Sequence, residues 1–378
     1  MKTSNRIFGL DLMRAMAILM VVFSHIHWIV PEMDGLLFSM MSLSGFLGVE
    51  VFFVLSGYLI GCIIYKLFTS EDFSFSGVFY FWIRRWFRTL PNYYLILFLN
   101  ILIAIYLGIE FPKYLWQYAF FIQNFAWQMP DFFPESWSLS IEEFAYIIGP
   151  LLLYLGLFVK TKYSRSKLFL IITVLIISFF TITKIVYSNF NEVSIMNYWN
   201  LNLKAVVMYR IDAIYYGVLA AYVSLVKPKF WKNLKHTSFF LGFVIILILN
   251  VFITRRGIFI EFHSWFWNLF YLPINSIAIM LWLPFLSQLN KVPNFVSKPI
   301  TFLSVISYSM YLLHYSIILQ LLKFYLPTED LAIFDIVIYI LVYLCLTVLL
   351  SYLLYTFYER PIMNLREKPF FIKRYLNE

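Results

Sequence analysis

The sequence predicts an all-α integral membrane protein, and two observations support this fold class. Of the 378 residues, 62% are hydrophobic and only 13% are charged, which excludes an ordinary soluble globule. Apolar runs long enough to cross a bilayer also recur along the whole chain. We therefore expect a bundle of about ten transmembrane helices, at residues 9–30, 43–67, 92–109, 138–159, 168–187, 203–226, 237–254, 265–288, 301–324 and 333–357.

A further apolar segment, residues 114–128, is short for a membrane span and is expected to form one re-entrant or interfacial helix. With both chain termini in the cytoplasm, 21 of the 29 Lys and Arg residues then fall on the cytoplasmic side, and Arg14 and Arg210 lie inside spans. The other six lie at the outer ends and loops: Lys113, Lys184, Lys204, Arg255, Arg256 and Lys323. If residues 114–128 crossed the membrane, every later basic loop would change sides and this positive-inside bias would disappear. The charge distribution therefore predicts a multi-pass protein of a cell membrane, with the lipid bilayer as its surroundings.

The chain is expected to form one membrane domain, residues 1–361, followed by a short basic cytoplasmic tail, residues 362–378. The net charge of +9 follows from the topology, so it does not indicate a nucleic-acid partner. The two cysteines, Cys62 and Cys345, lie in apolar spans and predict no disulfide framework. The His, Cys and acidic residues have no spacing typical of a metal site.

The first span carries a charged residue and an imidazole, in the stretch RAMAILMVVFSH from Arg14 to His25. Eleven residues of helix separate them by about 16 Å and leave them about 20° from a common face. Ionisable side chains inside a membrane usually face a protein interior or a wet cavity. His25 is the more informative of the two, because a neutral imidazole can accept a proton near pH 7. Arg14 has the alternative interpretation of a snorkelling residue at the membrane edge.

A basic and aromatic segment, FWIRRWFRTLP, precedes the third span. Its Arg84, Arg85 and Arg88 would lie on adjoining positions of one helix face. One interpretation is an amphipathic helix that contacts anionic lipid headgroups. The other is a clamp for a phosphorylated cytoplasmic ligand, because guanidinium groups match phosphate oxygens.

Several further polar residues lie within apolar spans. Glu50 is available to a basic partner such as Arg210, whereas Arg210 and Asp212 are two residues apart and need partners on other helices. Ser140 and Glu143 have the spacing of a capping box, which leaves Glu142 as a candidate for proton handling.

The stretch ISYSMYLLH places Ser307, Tyr311 and His314 on one helix face, flanked by Tyr308. An aromatic stripe in a membrane helix would explain the tyrosines. It would not explain His314, which therefore joins the residues expected to line a site.

In these segments the chain resembles the membrane-bound acyltransferase family 3. Five motifs carry the resemblance in order across residues 6–361: LDLMRAMAILMVVFSH, GVEVFFVLSGYLI, FWIRRWFRTLP, SWSLSIEEFAY, and ISYSMYLLH followed by FYERP. The resemblance implies a bundle of about ten spans in a bacterial cytoplasmic (inner) membrane. It also implies an enzyme that moves an acyl group, usually acetyl, from acetyl-CoA to a hydroxyl of a lipid-linked or surface glycan. The acyl-CoA would be a substrate, with no metal involved.

The resemblance also assigns residues. The arginine and histidine that are the hallmark pair of the family match Arg14 and His25, and the basic segment of the family matches Arg84, Arg85 and Arg88. Some relatives carry an extracytoplasmic hydrolase-like domain after the bundle, and this chain ends soon after FYERP. We therefore expect the acceptor to meet either the bundle itself or a separate extracytoplasmic partner protein.

The sequence and the resemblance together predict a mechanism with two parts. The basic segment and Arg14 would bind acetyl-CoA, and His25 would act as general base. Glu142 would orient or charge-balance His25, and Tyr308, Arg210 or His314 would stabilise the oxyanion. The alternative function is a multi-span transporter or flippase for a small solute or a lipid-linked sugar, because buried charges are typical of those proteins too. A non-enzymatic membrane scaffold is a third reading, disfavoured by the many ionisable groups within the spans.

Overall fold

The computed structural model describes residues 6–30, 35–160, 162–191, 195–290, 292–329 and 331–366. Most of the expected tail, residues 367–378, therefore lies outside the described part of the chain. The described residues form helices and connecting segments with no β-strand, so the all-α prediction is confirmed. The principal helices are α1 (Phe8–His25), α2 (Gly35–Thr69), α3 (Phe75–Leu107), α4 (Ser136–Gly156), α5 (Arg165–Phe190), α6 (Ile211–Val226), α7 (Lys235–Arg256), α8 (Phe266–Leu286), α9 (Asn294–Tyr325) and α10 (Ile333–Leu365).

Nine of these helices, within the described ranges, are long and apolar enough to cross a membrane; the exception is α6. With 16 residues, α6 extends about 24 Å, less than the roughly 30 Å of a hydrocarbon core. The sequence predicted a span from residue 203, which was wrong for its first turns. Short pieces precede α6 instead, at Met196–Trp199, Asn200–Lys204 and Val207–Tyr209.

The irregular backbone before α6 pairs with a second irregular segment, which connects α3 to α4. The only helical piece described in that connection is the six-residue turn Leu115–Phe120, too short to cross a membrane. Backbone amides of Val207 and Met208 donate to the carbonyls of Asn124 and Phe125, each at 3.0 Å. Non-helical backbone is tolerated at membrane depth where protein supplies such partners. Each segment therefore satisfies part of the other's backbone.

Helix α3 is longer than expected and contains the whole basic segment. It runs for 33 residues from Phe75 to Leu107, with Pro91 inside it. The sequence predicted a separate amphipathic segment followed by a span at 92–109, and that division was wrong. As a result, Arg85 and Arg88 lie on the same helix as the membrane-spanning residues.

The centre of the bundle is formed by α1, α2 and α9, which are the most buried of the long helices. Helices α7 and α10 are the most exposed and form the periphery. Pro228–Asn233, a short helix, connects α6 to α7. The polar residues identified in the sequence come mainly from the central helices, together with α3 and α4.

Close packing of α2 against α6 depends on glycine. A Cβ atom at Gly57 would lie 1.8 Å from the carbonyl oxygen of Ile214, and one at Gly217 would lie 2.0 Å from the carbonyl oxygen of Val54. One turn further along α2, a Cβ at Gly61 would lie 2.8 Å from the Cβ of Ala221. The small-residue pair at Gly57 and Gly61 was expected to allow a close helix approach, and that expectation is confirmed.

We predict that Gly57→Ala lowers the thermal stability of the detergent-solubilised protein, because the new methyl group overlaps the backbone of α6. Overpacking of this kind costs about 1–3 kcal/mol or more. The matched control is Gly77→Ala in α3, where the nearest atom to a new Cβ is a leucine methyl at 3.5 Å. Equal melting temperatures for the two variants would contradict the close contact.

Candidate functional site

A cavity of about 400 Å³, here called the arginine chamber, opens among α1, α2, α3, α4 and α9. Much of its polar lining comes from residues that the sequence had singled out: Arg14, Arg85, Arg88, Glu142, Ser307, Tyr308 and Tyr311. Three of these are cations and one is an acid. The chamber is therefore a basic site inside an otherwise apolar bundle.

Arg14 reaches the arginine chamber from α1. Its Nη1 lies 3.8 Å from Asp11 Oδ1 and donates a hydrogen bond to Ser304 Oγ at 3.4 Å. Asp11 is held more closely by Arg6, whose Nη2 donates to Asp11 Oδ1 at 2.6 Å. Arg14 therefore shares its only acidic partner among the described residues and retains donors that a ligand could use.

The two other cations of the chamber lie one helical turn apart on α3. The guanidinium of Arg85 stacks over the Tyr146 ring at 4.6 Å from its centroid, and its Nε is buried without a hydrogen-bond partner. Arg88 forms no ion pair with any described residue. Arg84, the first residue of the predicted clamp, donates instead to the Tyr80 hydroxyl at 3.0 Å and does not line the chamber.

The acids of α4 have different partners from those expected. Glu142 lines the arginine chamber, where its Oε2 accepts a hydrogen bond from the Tyr146 hydroxyl at 2.7 Å. The capping-box interpretation of Ser140 and Glu143 was wrong, because α4 begins one turn earlier, at Ser136. Glu143 accepts a hydrogen bond from Thr89 at 2.7 Å instead.

A second cavity of about 270 Å³, here called the histidine chamber, lies at the other end of α1. Its lining includes three histidines, two acids and a lysine: His25, His27, His314, Asp131, Glu135 and Lys204. His25 and His314 approach each other edge to face, with their ring centroids 4.7 Å apart. The structure thus brings together the two histidines that the sequence placed in different spans.

Hydrogen bonds to backbone carbonyls indicate the tautomer of each ring. His25 Nδ1 lies 2.8 Å from the carbonyl oxygen of Val21, and His314 Nδ1 lies 2.7 Å from that of Tyr311. Carbonyl oxygens accept hydrogen bonds, so each Nδ1 carries the proton. His314 Nε2 is then an acceptor, and it lies 3.3 Å from His25 Nδ1. The arrangement leaves the Nε2 lone pair of His25 available as a base.

The two chambers adjoin at Val49 and Tyr311, which line both of them. The hydroxyl of Tyr311 is held by Ser138 Oγ at 2.7 Å and donates to the carbonyl of Glu135 at 3.1 Å. Ser307, Tyr311 and His314 were expected to share one helix face, and in the structure they follow α9 from one chamber to the other. The structure therefore places Arg14 and His25 in neighbouring cavities rather than in one undivided groove.

Glu50, Arg210 and Asp212 line neither chamber, because each is held in a buried ion pair. Arg210 donates to Glu50, which also accepts a hydrogen bond from Ser276 at 2.9 Å. Lys184 Nζ lies 2.5 Å from Asp212 Oδ2. The interhelical polar network predicted from Arg210 and Asp212 is confirmed. Lys184, which the sequence analysis counted only among the six outer-side cations, is buried within α5.

Of the histidines and charged residues of the histidine chamber, only His25 and His314 were predicted as site residues, and Glu135 and Lys204 are two of those that were missed. Burial raises the pKa of the Glu135 carboxyl to about 7; its Oε1 accepts from Ser316 Oγ at 2.6 Å, while its Oε2 is buried without a partner. Burial lowers the pKa of the Lys204 ammonium to about 8. The sequence signal for both was weak, since Glu135 precedes the SWSLS motif and Lys204 was counted only as an outer-side charge. No cluster of metal-ligating side chains occurs in the part of the chain that the structure describes.

Comparisons with known proteins match nearly the whole chain. A family model described as an acyltransferase domain, of the acyltransferase-3 type, matches residues 7–356. The chain is 27% identical to the "Putative peptidoglycan O-acetyltransferase YrhL" of Bacillus subtilis (strain 168), over 94% of this chain and 54% of that protein. It is 25% identical to the "Peptidoglycan O-acetyltransferase OatA" of Listeria monocytogenes serovar 1/2a, over 82% of this chain and 49% of that protein. The chain thus spans about half the length of these relatives. No solved structure matches it.

We predict that Lys184→Met destabilises the protein by about 3–5 kcal/mol, because the buried carboxylate of Asp212 loses its counter-ion. The double variant Lys184→Met/Asp212→Leu should recover most of that loss, since neither charge remains. Thermal melting in one detergent checks both. If the double variant melts as low as the single one, the side chains do not interact as an ion pair.

Proposed function

The chain belongs to the acyltransferase-3 family, and from that membership we propose that it is an O-acetyltransferase acting on a carbohydrate hydroxyl. The observation that carries the proposal is the junction of the two chambers at Val49 and Tyr311. One chamber offers three guanidinium groups, and the other offers a histidine base. A phosphorylated donor and a hydroxyl acceptor could approach from opposite sides and meet between them.

The donor in this proposal is acetyl-CoA, bound in the arginine chamber. Its phosphates would be held by Arg85 and Arg88, and Arg14 would contact the pantetheine arm or a phosphate. Guanidinium forks match phosphate oxygens and stay charged under all working conditions. In this proposal the chamber and both chain termini lie on the cytoplasmic side, where coenzyme A thioesters are made, and the positive-inside distribution of Lys and Arg supports that orientation.

The acceptor would enter the histidine chamber from the outer side. The names of the relatives YrhL and OatA contain peptidoglycan, and we propose that the acceptor of this chain is likewise a glycan of the cell envelope. In the chamber the acceptor would lie next to His25. A separate extracytoplasmic protein would be needed only where the glycan cannot reach the chamber itself.

His25 would act as general base through Nε2. The acceptor hydroxyl gives its proton to Nε2 as its oxygen attacks the thioester carbon. When the carbon–sulfur bond breaks, the imidazolium returns the proton to the departing thiolate. His314 accepts a hydrogen bond from His25 Nδ1–H and so acts as a positioning residue, in the place that the sequence had suggested for Glu142. Glu142 remains a candidate for balancing charge in the arginine chamber.

Stabilisation of the oxyanion requires hydrogen-bond donors close to the junction of the chambers. Tyr308 donates its hydroxyl to the carbonyl of Thr89 at 2.7 Å, and Arg210 is held by Glu50, so neither is free for this role. The hydroxyl of Tyr311 lies at the junction and also donates to a carbonyl, that of Glu135, but at a longer distance of 3.1 Å. We propose that this hydroxyl turns its proton towards the oxyanion. The family match favours this transfer chemistry over the transporter alternative.

We predict that Arg88→Ala weakens binding of CoA at least tenfold, because a charge-assisted contact to phosphate is lost. Equilibrium binding of radiolabelled CoA to the purified protein measures the effect. The control is Lys229→Ala, which removes an exposed charge from the same predicted side of the membrane. If Arg88→Ala and wild type bind CoA with equal affinity, Arg88 does not bind a phosphate of CoA.

We predict that His25→Ala reduces acetyl transfer by at least 100-fold and leaves the melting temperature and CoA affinity close to those of wild type. General base catalysis accounts for about 10²–10⁴-fold in rate. The assay follows labelled acetyl-CoA and a candidate glycan, and His236→Ala, which changes a histidine packed against Phe285, serves as the control. Wild-type rates for His25→Ala would exclude it as the base.

A further inference from the structure

Lys204 has no acidic partner in the histidine chamber. It ends the turn Asn200–Lys204, and its Nζ lies 5.7 Å from the centre of the Trp137 ring. No carboxylate of the described residues lies within 4.0 Å of that nitrogen. Its only described neighbour with a favourable interaction is thus an indole ring.

The two embedded cations that line neither chamber are both paired. Arg210 is paired with Glu50, and Lys184 with Asp212, as expected for charges removed from water. Burial of Lys204 lowers its pKa, and no nearby acid opposes that effect. A ligand with a negative charge would supply the missing partner.

The two acids that line the same chamber do not fill this role. Glu135 directs its Oε1 to the backbone amide and hydroxyl of Ser316, at 3.1 and 2.6 Å. Asp131 is exposed to solvent. Neither forms an ion pair with Lys204, so the ammonium group faces the chamber with its donors unused.

Lys204 also lies close to the proposed base. It lines the same cavity as His25, and its positive charge acts on that ring. Trp137 lines the cavity beside it and is packed edge to face against Phe53, with ring centroids 5.8 Å apart. An apolar ring face and a cation would thus border the space where the acceptor hydroxyl must lie.

We propose that Lys204 binds an anionic group on the glycan acceptor, a carboxylate or a phosphate, and so selects acidic sugars as substrates. This inference rests on the proposed acetyl transfer and specifies the class of acceptor. The ammonium would hold the anion while a neighbouring hydroxyl of the same sugar is presented to His25. A lysine is suited to this role because it is a compact charge with three donors.

The test compares three acceptors with purified full-length chain in nanodiscs and labelled acetyl-CoA. They are a neutral methyl glucoside, methyl glucuronide with a carboxylate, and methyl glucoside 6-phosphate. For wild type, we expect kcat/KM to be about 10- to 100-fold higher for at least one charged acceptor than for the neutral one. The charged acceptor that is preferred tells whether the anion is a carboxylate or a phosphate.

In Lys204→Gln this preference should disappear, and in Lys204→Arg it should be largely retained. The matched control is Lys323→Gln, which removes another lysine from above a tryptophan ring, 6.0 Å from the centre of Trp28, and should keep the preference. A preference that survives in Lys204→Gln, or a wild-type enzyme without any preference, would overturn the proposal.

Direct binding separates this inference from the proposed function. Equilibrium binding of radiolabelled methyl glucuronide and of the 6-phosphate needs no turnover. If wild type binds one of them and Lys204→Gln does not, Lys204 is part of an anion site. If, in addition, no acetyl group is transferred, only the proposed transfer reaction is contradicted. If transfer to the neutral glucoside occurs but wild type binds neither anion, the inference about Lys204 fails alone.

Discussion

The structure depends on one constraint, the cost of placing charge inside a membrane. An ionisable group in the hydrocarbon region must be paired or must face a cavity. Two buried ion pairs, Arg210 with Glu50 and Lys184 with Asp212, link α2, α5 and α6. Arg14, Arg85, Arg88 and Lys204 have no such full pairing and line the two chambers, whereas Glu143 and Glu359 are held by hydrogen bonds outside them. The division between paired and unpaired charge therefore separates the residues that hold the bundle together from those available to ligands.

Helices α1 and α9 organise both chambers. Helix α1 contributes Arg14 to one chamber and His25 to the other, and α9 does the same with Ser307 and His314. Because both helices lie at the centre of the bundle, the lining residues keep a fixed register relative to each other. Tyr311 lies at the junction, so a donor and an acceptor would meet at mid-depth, away from both membrane surfaces. This geometry suits transfer between substrates on opposite sides of a membrane.

The sequence predicted the parts of this arrangement that depend on a single helix. The length of the apolar runs predicted the helices, and helical periodicity placed Arg14 and His25 at the two ends of one helix face. Contacts between helices were not predictable in the same way, because the sequence of one helix does not determine its register relative to another. For that reason Glu142 was expected beside His25, whereas the structure places His314 there. Lys204 was not predicted as a site residue because the positive-inside count records only the side of the membrane on which a lysine lies. It does not record whether the side chain faces a cavity or solvent.

The proposed mechanism is tested most directly by a cryo-electron microscopy structure of the protein with a non-transferable thioether analogue of acetyl-CoA. We expect the phosphates to contact Arg85 and Arg88, and the acetyl carbon to lie between Val49 and Tyr311, on the path to His25. An analogue bound elsewhere, or one whose acetyl end stays in the arginine chamber with the junction closed by packed side chains, would contradict it.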